Sequence, residues 1–236
     1  MLLQWTAKNR AAPEQPVSYI DEMHRDLWLR TDETEEAISA LEMVAETAPS
    51  LIADTYRWKW AIISTHNALQ GFMVLALRHG NGLLALKDEI AAQWLKAYRE
   101  GGNYPVEKLD NFLNLYKKVK SDRMLCYVHS KKFKATPDHN RSAKKLNELR
   151  NEFIHFAPKG WSLELAGLPA ICLDCLKVIE FLGWESGNII LYEEVQQKRA
   201  MSALKEAKKV LNDIKQKYEE AANNGIQRIA EKAGSR

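Results

Sequence analysis

Arg150, Asn151 and His155 fall within six residues, Arg150-Asn151-Glu152-Phe153-Ile154-His155, and their types suit phosphate chemistry. Arginine offers a permanent, forked positive charge that matches a phosphate. Histidine moves a proton near neutral pH. Asparagine can orient an imidazole or bond a phosphate oxygen. Such groups suffice to cleave RNA without a metal, because the 2′-OH is the nucleophile and only its proton and the developing charge need handling.

These residues need a helix to position them. At about 100° per residue, Leu146, Leu149, Phe153 and Phe156 fall within an arc of roughly 80° and form a core face. Asn151 and His155, four apart, stack on the outer side. Arg150 flanks the core face, about 140° from His155. The pair therefore converges on one ligand only if the arginine bends over the surface or a second copy completes the site. A competing reading pairs Arg150 with Glu148 or Glu152 and leaves His155 merely to finish the helix.

Other residues invite the same scrutiny. His66, Asn67 and Gln70 share a long apolar stretch, where they add to an RNA site or form a buried polar cluster whose members bond one another. Residues 117–145 carry ten Lys/Arg against two Asp. Tyr116, just before them, and Tyr127 and Phe133 within them interleave with cations, and Lys144 and Lys145 are candidate phosphate contacts. Trp161 follows a Pro-Lys-Gly turn and could stack a base or close a helix hairpin. Cys172 and Cys175 form a CxxC with no second ligand pair, so they read as core thiols and no metal site is expected. No glycine-rich phosphate loop or nucleophile elbow is present, and no cofactor is expected.

The spacing of apolar residues predicts an all-α chain. Thr31 or Asp32 caps a first helix that ends at Pro49. A long helix is expected from Leu51 to about Arg78, capped by Ser50, and others over 84–100, 106–120 and 142–156. Thr136-Pro137 can open the last of these. Ser162 is expected to cap a helix reaching Leu182, and 193–222 reads as a polar helix with a narrow stripe of Leu204, Leu211, Ile214 and Tyr218. That stripe suits either a short coiled coil or a helix laid across a bundle. Only Ile189 to Tyr192 looks extended. The expected division is an arm over 1–30, a helical domain over 31–186 and a C-terminal helical extension over 187–236.

Net charge is +3, with 46% hydrophobic and 28% charged residues, a globular composition that does not by itself announce a nucleic-acid binder. Three cysteines argue against a disulfide framework. Met1 to Arg10 lacks the apolar core of a signal peptide. The longest apolar stretch, around Trp60 to Leu77, is interrupted by Ser64, His66, Asn67 and Gln70, so no membrane association is expected. The expected compartment is the cytoplasm.

At Arg150 to His155 the sequence resembles the HEPN superfamily, whose hallmark is an Arg, a polar residue, three variable residues and a His near the end of a helix. The stretch from Leu146 to Phe156 is similar to the motif helix of bacterial members, and the preceding helix with His66-Asn67-Ala68-Leu69-Gln70 is similar to its neighbour. The resemblance spans about residues 35–185. It implies an antiparallel helical bundle, here with an additional long C-terminal helix, acting as a homodimer that cleaves RNA without a metal. It further implies that His155 transfers the proton and Arg150 holds the phosphate. Some members have lost activity and only bind partners, which for this chain points to the C-terminal helix as the recruiting element; nucleotide binding without turnover is a further alternative that the resemblance implies. The lengths before residue 30 and after 190 depart from the smallest members.

Overall fold

The structure is a computed structural model that describes residues 27–29, 31–155, 158, 160–191 and 193–234, with side chains to 224. Most of the expected arm over 1–30 therefore lies outside the described residues, as do Phe156 and Tyr192. The chain divides into two compact units, Met1–Thr31 and Asp32–Arg236. The described part of the second unit consists of packed α-helices and contains no strand, only an isolated antiparallel bridge between Leu86 and Leu109.

Helix α1 (Glu33–Thr47) starts at Asp32, whose carboxylate accepts the N–H groups of Thr34 and Glu35 at 2.8 Å. Glu33, Glu35 and Glu36 then sit at the positive end of the helix dipole. Ala37, Ile38, Leu41 and Val44 bury one face at helical spacing. Pro49 ends the element in a 3₁₀ turn.

Helix α2 (Trp58–Arg78) is the hub, packed against α1 and three later helices. It buries Trp58, Ile62, Leu69, Phe72, Met73 and Leu77 completely. By length and composition the stretch Thr55–Arg78 passes as a membrane span, but 67% of its apolar window is covered by the other helices. It is a core helix. Gly71 is required where α2 meets α1, since a Cβ there would lie 2.7 Å from that of Ala37. The expected start at Leu51 is wrong. Residues 51–57 form turns, and Asp54 holds them by accepting the N–H of Tyr56 at 3.0 Å.

Helix α3 (Asp88–Glu100) follows a 3₁₀ turn at Leu83–Ala85 and ends at Gly101, whose φ of 71° glycine accommodates without a Cβ penalty. Residues 101–111 then form a strap instead of the expected helix. Helix α4 (Phe112–Val119) begins late because Asn111 is its cap, accepting the N–H of Asn114 at 2.9 Å. Leu109 and Leu113, expected on the buried face beside Phe112 and Tyr116, are partly exposed.

One buried network pins these pieces. Lys118, 5% exposed, donates to Leu86 O at 2.6 Å and pairs with Asp110 at 2.7 Å and Asp88 at 3.1 Å. Arg123 forks onto Asp88 at 2.6 and 2.9 Å. That fork, with Lys118, holds the Asp88 carboxyl well below the usual carboxylate range.

Helix α5 (Pro137–Ile154) opens at a capping box of Thr136 and His139 with proline in the first turn. Helix α6 (Leu168–Glu180) starts five residues later than a cap at Ser162 would place it, with Gly167 at the cap position instead. Residues 160–167 are irregular and Pro169 lies in the first turn of the helix, which widens into a π-turn at Phe181–Glu185. Helix α7 (Glu194–Gly234) lies across the bundle on α1 and α6, so its apolar stripe is not a free coiled-coil seam. Leu204, Leu211 and Ile214 are buried, and the Trp58 indole donates to the Tyr218 hydroxyl at 3.3 Å. Arg199 anchors the first turns through Glu35 and Glu42, each at 2.8 Å. The extension expected from 187 therefore belongs to the same unit as the bundle.

Candidate functional site at the end of helix α5

The motif occupies the last two turns of α5, where Leu146 and Leu149 are buried and Phe153 is half-buried. Phe153 meets the edge of Trp161 at 5.1 Å, so Trp161 closes the turn after the helix, though it keeps 43% of its surface in water. Lys144, Asn147, Asn151 and His155 recur three or four apart and make one polar stripe. Lys145 lies off that stripe, and both lysines stand about one turn from Glu148, at 4.0 and 3.8 Å.

Arg150 is half-buried beside the stripe. Its Nη1 donates to Asn151 Oδ1 at 3.1 Å. Its Nε is buried with no acceptor among the described residues, and no carboxylate there lies within ion-pair distance of it. Glu148 faces the two lysines instead. His155 is the C-cap residue; its N–H donates to Asn151 O at 2.8 Å and its side chain is exposed. The expected role of Asn151 in orienting the imidazole is not what the structure holds, because the Asn151 amide serves Arg150.

A second histidine joins this group from α2. His66 is buried, its ring stacked on Phe112 with centroids 4.1 Å apart, and its Nε2 bonds Asn147 Oδ1 at 3.2 Å. Burial pushes its pKa down to about 4; the Asn147 and Asn67 amides oppose that, and the positive charge of Arg150 adds to it. At neutral pH the ring is uncharged, with Nε2 donating to Asn147. His66 and Asn147 thus carry α2 against α5 one turn before Arg150. No hydrogen bond joins His66 to Gln70. Asn67 is exposed and, with Gln70, lines a groove of about 500 Å³ between α1 and α2. Glu33 and Glu36 share that groove, so its charge does not suit a phosphate backbone.

His66 has a measurable signature. Its folded pKa of about 4 lies below the unfolded value of about 6.5, so between those limits the unfolded chain binds the proton more readily. Stability is therefore lost as pH falls from 6.5 to 4. The loss attributable to this residue is about 3 kcal/mol. Urea titrations at pH 7 and pH 4 should show a pH dependence smaller by about that amount in His66→Gln than in the parent. Equal slopes would mean that the imidazole is not buried as described.

The basic segment is less open than its composition suggests. Lys118 is buried in its carboxylate network, Lys120 bonds Asn140 at 2.7 Å, and Lys132 pairs with Asp122 at 2.6 Å. Tyr116 and Phe133 are buried, which leaves Tyr127 as the one exposed ring of the three that could stack a base. Cys172 and Cys175 are buried free thiols, and burial pushes Cys172 up to about 12 and Cys175 well above its ordinary value. They are core side chains. Among the described residues no group of three or more His, Cys, Asp or Glu is placed to hold a metal ion.

The fold and the site together define an all-α bundle with an Arg/Asn/His cluster at the open end of one helix. Compared with protein-family models, with curated proteins and with solved structures, the chain matches none.

Proposed function

We propose that the chain is an RNA-cleaving protein of HEPN type, working in the cytoplasm as a homodimer whose two α5 ends build a composite site. The observation that supports this reading best is the state of Arg150. Its guanidinium is held half-buried by an amide, not by a carboxylate, and so keeps its charge for a phosphate. Asn151 fixes that guanidinium. His155, on the solvent side, takes the proton of the ribose 2′-OH as that oxygen attacks phosphorus. The bond to the 5′-oxygen breaks, that oxygen takes a proton from water, and the products are a 2′,3′-cyclic phosphate and a 5′-hydroxyl; the imidazolium then returns its proton to solvent. Lys144, on the same stripe, supports the strand through its phosphates.

In this mechanism the proton and charge steps rest on side chains. Excess EDTA is therefore expected to leave cleavage of a single-stranded RNA unchanged, with cyclic phosphate ends on the products. Strict dependence on an added divalent ion would contradict the assignment.

A second reading is a helical module that only binds partners. It is favoured by α7, which continues to Gly234 and has residues 219–224 all exposed. A chain that fails to cut any RNA, and whose associations are lost on deleting 219–236, would support it.

A further inference from the structure

Helix α3 differs from every other described helix, because none of its 13 residues is buried. It is nevertheless built with an apolar face. Ile90, Ala91, Trp94, Leu95, Ala97 and Tyr98 fall within an arc of about 160°, and the remaining residues are polar apart from Ala92. Trp94 gathers the local aromatic contacts, with Tyr98 at 5.9 Å and Tyr104 of the strap at 4.9 Å between centroids. What stays in water is large: Leu95 is 37% exposed, Tyr98 67%, Tyr104 54% and Val106 79%. Aromatic side chains with an arginine at their margin are the composition of interface centres, not of solvated helix faces.

The charges on α3 indicate what covers this face. Asp88 and Glu89 stand at its start, Lys96 and Arg99 near its end. On the wheel Asp88 and Arg99 lie about 20° apart, on the same edge of the apolar arc, whereas Glu89 and Lys96 lie on the opposite side of the helix. An antiparallel pair of such helices sets Asp88 of each beside Arg99 of the other, and two-fold symmetry makes that match twice. The helix dipoles then also oppose. Asp88 retains 62% side-chain exposure despite its bonds to Arg123 and Lys118, which leaves room for a further cation. Ala91 and Ala97 on the seam allow close approach. A lipid surface would gain nothing from this antisymmetry.

We propose that α3 is a self-association surface, on which a second copy of this chain packs its own α3 antiparallel across a two-fold axis near Trp94. A helix about 20 Å long offers less than the ~800 Å² per partner of a standard interface, so Tyr104 and Val106 of the strap belong to the contact. Association is accordingly weak, with a Kd of about micromolar order. The strap joins the bundle beside the motif, since Phe112, which directly follows it, stacks on His66. The inference stands whether or not the chain cleaves RNA.

Sedimentation equilibrium of the full chain over micromolar to sub-millimolar concentrations tests it. The parent protein should dimerise, and Leu95→Glu and Tyr98→Glu should each raise the Kd by at least about 30-fold while the helical circular dichroism is unchanged. Leu95→Cys in a Cys126→Ser background, which removes the exposed native thiol, should form a disulfide-linked dimer on mild oxidation. A parent chain that stays monomeric throughout, or a dimer that both glutamate variants leave intact, would overturn the surface. Failure of the cysteine variant to cross-link would overturn the antiparallel register.

Discussion

Alanine at His155 or at Arg150 should lower RNA cleavage by about 10²-fold or more, the usual loss for a general acid–base group or a charge-stabilising group. The two substitutions act through different steps. Without His155 no side chain takes the 2′-OH proton, so the rate should fall. Without Arg150 the phosphate loses its fixed charge. Neither change should disturb the fold much: His155 is an exposed C-cap residue, and Arg150 gives up a single side-chain bond to Asn151. Circular dichroism and melting curves of the variants should overlay the parent. Full activity in both variants would remove the motif from the chemistry.

The largest effect on stability is expected at Lys118. Lys118→Ala should destabilise the chain by about 3–5 kcal/mol, because it leaves Asp110 buried without its cation. Burial raises the Asp110 pKa, while Lys118, Asn114 and the Asn111 N–H more than offset this and hold it low. Removing the lysine takes away the strongest of these opposing partners. The Leu86 carbonyl also loses its donor, and the tie between the start of α3, the strap and α4 opens. Arg123→Ala should cost much less, since its pair with Asp88 is largely exposed. Urea denaturation of both variants distinguishes them, and comparable small losses would show that the network is not buried as described.

These two sites show unequally what could be read from the residues alone. The α5 end was legible because every signal in it is local: Thr136-Pro137 opens the helix, Leu146 and Leu149 mark its buried face, and the motif spacing fixes which side His155 takes. The cap at Asp32, the stop at Gly101 and the core placement of Cys172 and Cys175 were legible for the same reason. Helix starts were missed where a side chain, not the apolar pattern, decides. Asp54 holds residues 51–57 in turns, and Asn111 delays α4, although Leu109 and Val106 fit a helical stripe. Links between distant residues left no trace at all. His66 meets Asn147 across 81 positions, and Lys118 meets Leu86 across 32. The spacing suits a pairing of His66 with Gln70, but the imidazole turns toward α5, where the half-buried Asn147 amide accepts its bond and Phe112 covers the ring.

The same geometry makes a composite site the central claim. Arg150 and His155 lie on different sides of one helix, and the structure joins neither to the other. Mixing the two inactive variants tests this most directly. In a dimer formed from one Arg150→Ala chain and one His155→Ala chain, one of the two composite sites retains both residues. An equimolar mixture, in which half of the dimers are mixed, should therefore recover about a quarter of the parent cleavage rate. A mixture as inactive as either variant alone, under conditions where mixed dimers are shown to form, would contradict a site shared between two copies.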